Sequence, residues 1–231
     1  MILSAHQPAY LPWLGYFDKI AQSDIFVYLD TVQFEKNSFI NRNKIKTPQG
    51  CLWLTIPVRI KGHTNATIST LEIDECQAWR IKHLKTIEMN YRKSPYFHEC
   101  FPKYEALLNM PISNLAELCW QQMIFWLAEF EIATKLVRLS DLNIFSKKSE
   151  LIQDICKNLS ADKYLSGIMG KNYLNESNFS ADGINIIYQN FNHPIYLQNW
   201  GLFEPNMGII DYWMNYGSGK ITITKESNNG F

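Results

Sequence analysis

An α/β fold with a mainly parallel sheet is predicted by two features of the sequence. Short apolar runs of strand length alternate with segments of helical spacing, as in repeated strand–helix–strand units. The run Ile25-Phe-Val-Tyr-Leu is too short for a helix and is typical of a strand buried on both faces. With 231 residues the chain can bury a large core, and we expect a single α/β domain over residues 1–231.

The first part of the chain predicts a strand, a loop, a helix and a second strand in succession. Pro8 and Pro12 lack backbone donors and disfavour helix before them, so the segment after the first strand is a loop. Pro57 marks an edge or an end of a later strand. The expected elements are a strand (Ile2–Ala5), a helix (Trp13–Ala21), a strand (Ile25–Leu29), a loop or hairpin over the site (Phe34–Gly50), a strand (Cys51–Ile60) and a turn-rich stretch (Lys61–Thr67).

A mainly helical insertion over residues 75–133 is predicted next, after which strands and helices alternate again. Ser113 and Ser149 are the predicted N-caps of two of these helices. The expected helices are Ala78–Asn90, Phe101–Leu108, Leu115–Ala133, Ser149–Leu159 and one within 200–216 after Pro205, with strands at Lys135–Leu139, Lys163–Ser166 and Ile184–Gln189 and a frayed tail from Gly217.

Composition excludes several classes of partner. Lys and Arg total 22 and Asp and Glu total 22, so no excess charge favours nucleic acid or an anionic membrane, and any anion is bound locally. Glutamates interrupt the apolar stretch 115–133, which predicts a buried helix and no membrane insertion. The five cysteines lack zinc-site spacing, so we expect reduced, mostly buried thiols and no metal site. Without a signal-peptide pattern, a cytoplasmic location is expected.

The first candidate cluster follows the first predicted strand. His6 lies where open α/β sheets bind ligands, and the prolines and Gly15 stiffen its loop, so we predict a catalytic His6. Gln7, Tyr10 and Trp13 are the predicted substrate-binding neighbours. The alternative is a histidine bonded only to a neighbouring loop, with Trp13 simply part of the core.

The second candidate cluster begins where the second strand ends. Asp30 offers a carboxylate acid or base, and the donors that follow it suit phosphate or carboxylate. The predicted binding residues here are Gln33, Lys36, Asn41 and Arg42. The alternative is a solvated basic loop in which Asp30 caps a turn.

Two weaker clusters lie in the C-terminal half. Ser166 and Gly167 end a predicted strand, and a glycine there lets a ligand approach the backbone, with Lys171 placed to meet an anion. His193 precedes a proline and is held extended, which makes it a further candidate for binding.

These residues together resemble the WbqC-like family over nearly the whole chain. The resemblance rests on His6-Gln-Pro-Ala-Tyr-Leu-Pro-Trp-Leu-Gly-Tyr-Phe-Asp-Lys-Ile, Asp30-Thr-Val-Gln-Phe, Asn41-Arg42, Trp53-Leu-Thr-Ile-Pro-Val, Tyr164-Leu-Ser-Gly and Tyr188-Gln-Asn-Phe-Asn-His-Pro. It implies a bacterial protein of O-antigen or other surface-polysaccharide clusters that makes or decorates an unusual sugar. Attachment of an amino acid or acyl group to a nucleotide-linked amino sugar fits that setting.

A more distant similarity concerns the stretch from Gly15 to Asp30 and the pair Gln33-Phe34. It is similar to the opening of pantoate–β-alanine ligases and related nucleotidylyltransferases, and it implies a Rossmann-like sheet. In that superfamily a His-x-Gly-His motif meets ATP phosphates. Here no second histidine follows His6 three residues later, and this departure weighs against ATP.

The resulting hypothesis is an amide-forming aminoacyl or acyl transferase or ligase acting on a nucleotide-linked amino sugar. His6 or Asp30 would take a proton from the sugar amine, and the donor would be an acyl or aminoacyl carrier protein or a product of ATP and magnesium. Arg42, Lys36 and Lys171 would hold pyrophosphate or carboxylate, while Tyr10 and Trp13 stack on a base or sugar. The alternatives are ATP-dependent nucleotidyl or adenylyl transfer, and a non-catalytic accessory module that binds a carrier protein or partner enzyme.

Overall fold

The computed structural model describes residues 1–60, 66–219 and 221. The strands are β1 Ile2–His6, β2 Ile25–Tyr28, β3 Arg42–Thr47, β4 Gly50–Thr55, β5 Lys135–Arg138, β6 Lys163–Ser166 and β7 Asn185–Tyr188. The helices are α1 Leu14–Ala21, α2 Trp79–Tyr91, α3 Phe97–Leu108, α4 Leu115–Glu129, α5 Lys148–Asn158, α6 Glu176–Ala181 and α7 Ile209–Tyr216. The predicted turn at Lys61–Thr67 and the tail from Gly217 lie mostly outside the described residues.

A five-stranded parallel sheet with the order β5-β2-β1-β6-β7 forms the centre of the fold. All four residues of β2 are buried, as the apolar run predicts. Phe26 and Tyr28 pack into one hydrophobic cluster and Ile25 and Val27 into another, because successive side chains of a strand point to opposite faces. The α/β prediction is confirmed, and the fold is Rossmann-like.

Helices cover both faces of this sheet. The face with Phe26 and Tyr28 packs with residues of α1, α2, α3, α4 and α7, and the opposite face packs with α5 and α6. Trp126 and Trp213 are fully buried on the first face, with ring centroids 4.9 Å apart. Each buried side chain of this kind contributes on the order of 1.5–3 kcal/mol. Within the predicted insertion, α4 contacts the sheet directly, because the Tyr28 hydroxyl donates to the Ala116 carbonyl oxygen at 2.7 Å and the Tyr28 and Trp120 ring centroids are 5.1 Å apart.

The strand order has a switch point between β1 and β6. The chain builds outward from β1 through β2 to β5, then returns to the other side of β1 with β6 and β7. The ladder between β1 and β2 extends to His6↔Tyr28, whereas the ladder between β1 and β6 ends at Ser4↔Leu165. The two central strands therefore part just before His6, where sheets of this order bind their ligands.

A separate antiparallel hairpin, β3 and β4, follows the sheet's second strand. It confirms the hairpin alternative for Phe34–Gly50 and makes the strand predicted at Cys51–Ile60 its second arm, which ends at Thr55. Asn43 and Ile45 are fully buried on one face. Arg42, paired with Thr55, and Lys44, paired with Trp53, lie on the other face, which the core leaves uncovered.

Three predicted helix boundaries are corrected by local hydrogen bonds. Asn114 rather than Ser113 caps α4, because its Oδ1 accepts from the Glu117 N–H at 3.0 Å. Ser149 lies inside α5, and its hydroxyl accepts from the Asn175 N–H at 2.9 Å instead of capping the helix. α3 begins at Phe97, four residues earlier than predicted, and continues through Pro102 with the loss of one backbone hydrogen bond.

The described residues also bear on membrane-spanning helices, metal sites and the state of the cysteines. No helix among them has the length and apolar character needed to cross a bilayer. They contain no cluster of His, Cys, Asp or Glu side chains suited to hold a metal ion. Cys100, Cys119 and Cys156 are buried free thiols, while Cys51 and Cys76 are exposed.

Candidate functional site

His6 ends β1 at the switch point and is half-buried. Its Nδ1 lies 2.8 Å from the Gln7 carbonyl oxygen, which can only accept, so Nδ1 carries the proton and Nε2 keeps its lone pair. Burial, and then the charge of Lys19, lower the pKa of His6 to about 3, against the opposing effect of the Gln7 carbonyl. A neutral imidazole with an acceptor nitrogen therefore stands at the carboxyl end of the central strand.

Lys19 on α1 lies beneath this histidine and is only 5% exposed. Its Nζ donates to the Ala5 carbonyl oxygen at 2.9 Å, and no other hydrogen bond of the ammonium is found among the described residues. Burial lowers the pKa of Lys19 to about 7. The neighbouring Asp18 carboxylate accepts instead from the side chains of Gln22 and Gln189, at 2.7 and 2.5 Å.

An aromatic strip, formed by Trp13, Phe39 and Trp53, runs from His6 to the hairpin. The Trp13 ring centroid is 5.7 Å from that of His6 and 5.4 Å from that of Phe39, and Phe39 is 5.7 Å from Trp53. Phe39 and Trp53 are 42% and 38% exposed, respectively. Exposed rings of this kind offer π-faces on which a base or a sugar can stack.

Two cations lie over the outer end of the strip. The Arg42 guanidinium carbon is 4.3 Å and the Lys44 Nζ 5.3 Å from the Trp53 ring centroid. Arg42 donates to the side chain and the backbone carbonyl of Asn37, which fixes its direction, while its Nε is buried with no partner among the described residues. Exposed aromatic rings and two cations therefore lie side by side at the outer end of the strip.

The segment after β7 crosses the N-terminus of α1. Gln189 donates through Nε2 to the Gly15 carbonyl oxygen at 2.8 Å, and Phe191 packs so closely that a Cβ on Gly15 would lie 2.9 Å from its ring. Gly15 is therefore needed for contact with an aromatic ring. In nucleotide-binding Rossmann sheets the corresponding helix N-terminus meets the pyrophosphate, and here Phe191 and Trp13 cover it.

The chain is similar in sequence to known proteins. Residues 7–223 match the WbqC-like protein family. The chain belongs to this family. It is also similar to an uncharacterized protein of Mycobacterium tuberculosis (strain ATCC 25618 / H37Rv), Rv1507c, with 32% identity over 214 residues that cover 92% of each chain. No solved structure shows a significant match. The predicted resemblance to the WbqC-like family is confirmed over residues 7–223.

Asp30, the second predicted catalytic residue, is bound elsewhere. It is 4% exposed, and its two carboxylate oxygens accept from the backbone N–H and the hydroxyl of Ser140, at 3.0 and 2.7 Å. No hydrogen bond joins it to His6. Asp30 therefore ties the end of β2 to the residues after β5, and its catalytic role stays a prediction.

Two predicted binding residues of the family motifs lie in the core. Tyr10 is fully buried, and its hydroxyl is within 2.8 Å of His83 Nδ1 and 2.9 Å of the Tyr104 hydroxyl. Asn41 is 7% exposed and donates to the Ile56 carbonyl oxygen at 2.8 Å. Neither side chain has a surface on which a ligand can lie, so both positions are structural in this fold.

The remaining predicted residues divide between the edge of the site and the surface. Gln7 is half-buried beside His6, and Gly167 faces open space where β6 ends. Ser166 is buried and donates to the Gly167 carbonyl oxygen at 3.0 Å. The exposed side chains of Gln33 and Lys36 lie on the loop before the hairpin, and Lys171 lies over the ring of Tyr188.

His193 organises the long segment after β7. Its Nδ1 donates to the Pro194 carbonyl oxygen at 2.8 Å and its Nε2 accepts from the Asn206 N–H at 3.1 Å. Both ring nitrogens are bound to backbone, so His193 closes a loop and offers no free nitrogen to a ligand.

The predicted set omits Lys19, Lys44, Phe39 and Trp53. Trp53 could have been found by strand alternation. Once the hairpin register is known, alternation places Trp53 on the same face as Arg42 and Lys44. Lys19 carries none, since a lysine near the end of a helix is normally solvated.

A groove of about 370 Å³ lies at the hairpin tip and is separate from the aromatic strip. Its lining residues are Thr47, Pro48, Gln49, Cys51, Leu52, Met89, Asn90 and Trp200. None of the predicted site residues lines it, so we place the candidate site at the switch point and the aromatic strip.

Proposed function

We propose that this protein is an amide-forming aminoacyl or acyl transferase or ligase acting on a nucleotide-linked amino sugar of bacterial surface-polysaccharide synthesis. Membership of the WbqC-like family supports the biosynthetic setting. The observation that carries the proposal is the pairing of exposed aromatic rings with Arg42 and Lys44 beside the switch point. Rings stack on a base, and fixed cations bind a diphosphate.

In the proposed complex the nucleotide lies along the strip and the sugar reaches toward His6. The base stacks on Trp53 or Phe39, and the diphosphate binds Arg42 and Lys44. The distance from Trp53 to His6 is bridged by Phe39 and Trp13, whose successive centroids are less than 6 Å apart. The sugar amine then lies at the end of β1, where an acyl donor can approach.

His6 has a specific part in this chemistry. The lone pair of the neutral amine attacks the acyl carbonyl carbon, a C–N bond forms, and the bond from that carbon to the thiolate or phosphate leaving group breaks. The neutral amine donates a hydrogen bond to His6 Nε2, which orients its lone pair, and the proton that the amine loses passes to the leaving group. Because Nδ1 is held by the Gln7 carbonyl, Nε2 is the nitrogen that accepts.

A melting-temperature screen tests the nucleotide part of this proposal. We expect UDP- and dTDP-linked amino sugars to raise the melting temperature, since a ligand that binds only the folded state stabilises it. Trp53→Ala should weaken this binding at least tenfold, about 1.4 kcal/mol. Leu52→Ala is the matched control, because Leu52 is an exposed neighbour on the same strand that lines the separate groove.

Two results of these binding measurements, and one result of an activity assay, would contradict the proposal. Stabilisation by ATP and magnesium without any effect of sugar nucleotides would favour adenylyl or nucleotidyl transfer. Equal losses in the Trp53 and Leu52 variants would remove the aromatic strip from binding. If His6→Ala retains full amide-forming activity on the natural substrate, the role of His6 is wrong.

A further inference from the structure

Lys19 is a buried cation for which the proposed mechanism has no use. It is 5% exposed, on a helix where every residue from Leu14 to Ile20 is buried. An ammonium has three donors, and in the described residues only the Ala5 carbonyl oxygen accepts from it. No carboxylate forms an ion pair with it there, and buried charges are normally paired.

The Lys19 ammonium lies at the carboxyl end of the central strand β1. Side chains of a helix tilt toward its N-terminus, so Lys19 reaches back along α1 toward the carboxyl end of β1. Its acceptor, Ala5, is the first residue of β1 beyond the ladder with β6, which ends at Ser4↔Leu165. The ammonium is therefore bound where the two central strands part, one residue before His6.

The end of the neighbouring strand is open: a Cβ on Gly167, which follows β6, would meet no atom within 4 Å. His6 on β1 is neutral and lies close enough for the charge of Lys19 to lower its pKa. On α1 itself, burial raises the pKa of Tyr16 well above its ordinary value, and Asp18 is the residue before Lys19. The Asp18 carboxylate is engaged by Gln22 and Gln189, and burial raises its pKa, so it does not neutralise the ammonium.

We infer that Lys19 is the cationic floor of an anion subsite between the ends of β1 and β6, which takes a phosphate or carboxylate group of the substrate. The remaining donors of the ammonium bind the anion. The anion then forms the ion pair that no carboxylate of the described residues provides. The inference rests on the proposed function in using the same site, but it concerns one anionic group and needs no nucleotide or sugar.

Two small anions test it directly. Inorganic phosphate and acetate, each compared with chloride at equal ionic strength, should raise the melting temperature of the wild-type protein at pH 6, and the stronger anion identifies the source. Lys19→Met should weaken the better anion at least tenfold. Lys85→Met, an exposed lysine of α2, is the matched control and should change its binding less than twofold.

A second measurement on the wild-type protein does not depend on the variant folding. Because burial holds the pKa of Lys19 near 7, an anion bound at pH 8 should draw in a proton, and affinity should fall between pH 6 and pH 8. Calorimetry with acetate, which unlike phosphate does not itself titrate in this range, measures this uptake in two buffers of different ionisation enthalpy.

Four results would overturn the inference: neither anion binds, Lys19→Met binds within twofold of wild type, the control variant loses as much, or binding takes up no proton at pH 8. Failure of the proposed function looks different. There the anion still binds through Lys19, while sugar nucleotides give no stabilisation beyond that of phosphate.

Discussion

The ends of β1 and β2 each carry a titratable side chain. The two side chains have equivalent positions in the sequence pattern but different hydrogen bonding in the structure. The centre of each strand is buried, and a candidate catalytic residue lies at its end: His6 is the last residue of β1, and Asp30 lies two residues beyond β2. Both oxygens of Asp30 accept from Ser140, whereas among the described residues His6 Nε2 has no partner and the Lys19 ammonium has one acceptor for its three donors. Unused hydrogen-bonding capacity, rather than position at a strand end, distinguishes a binding site from a structural tie.

The largest expected difference between these regions is the response of stability to pH through Lys19. Its folded pKa of about 7 lies below the ordinary value of 10.5, so between these values the unfolded chain holds a proton that the folded protein lacks. Stability therefore rises with pH from 7 to about 10, by up to about 5 kcal/mol from this group. Lys19→Met should be more stable than wild type at pH 7, and the difference should shrink by pH 10.

Urea denaturation at several pH values measures this effect. Lys85→Met provides the baseline for removal of an exposed charge. A Lys19→Met protein less stable than wild type at pH 7 would show that the ammonium is a structural residue, and would contradict its assignment to the site.

The second prediction concerns the structural tie at the end of β2. Asp30→Ala leaves the Ser140 N–H and hydroxyl without their acceptor in a buried position. Because hydrogen bonds to charged groups contribute about 1.5–3 kcal/mol each, we expect a loss of about 2–4 kcal/mol in the free energy of unfolding.

Ser140→Ala separates this loss from a catalytic effect. It should destabilise by a smaller amount, since the Ser140 N–H still reaches Asp30 Oδ1. If Asp30→Ala abolishes ligand binding and activity while its unfolding free energy stays at the wild-type value, the structural reading of Asp30 is wrong.

How far the sequence predicts each region follows from the range of the interactions involved. The strand Ile25–Tyr28 and the helix that starts at Leu14 depend on local spacing, and both were predicted within one or two residues. The roles of Tyr10 and Asp30 depend on His83, Tyr104 and Ser140, at least 73 residues away along the chain. No local pattern announces such partners.

The same limit explains Lys19 and the aromatic strip. The burial of Lys19 results from packing of α1 on the sheet, which helical spacing alone does not report. Phe39 and Trp53 become neighbours only because the hairpin forms. The sequence left open whether residues 34–50 form a loop or a hairpin, and so it could not give the register. Position at a strand end was predictable, while the state of each hydrogen-bonding group was not.

The third prediction is an acid-induced loss of stability that includes His6. Its folded pKa of about 3 lies below 6.5, so as pH falls through this interval the unfolded chain gains a proton first and the folded state loses stability. At pH 5 this amounts to at most about 2 kcal/mol. His83, with a pKa lowered by burial to about 4, contributes in the same direction.

Replacing His6 separates the two histidines. His6→Gln should reduce the difference in unfolding free energy between pH 7 and pH 5, and a His83→Phe protein should lose the remaining part while also losing the contact with Tyr10. NMR titration of the ring protons gives the two pKa values independently. A His6 that titrates near 6.5 in the wild-type protein would contradict the neutral state assigned to it.

The smallest expected effect tests the cover over the N-terminus of α1. Gly15→Ala improves helix propensity by about 1 kcal/mol, but its Cβ would lie 2.9 Å from Phe191 and 3.0 Å from Trp13. Overpacking costs about 1–3 kcal/mol, so the net change should be a destabilisation of about 1 kcal/mol. In a Phe191→Ala background the same substitution meets only Trp13, and it should become neutral or stabilising. Unfolding free energies of the four proteins in this cycle measure the coupling, and additivity would show that Phe191 does not press on α1.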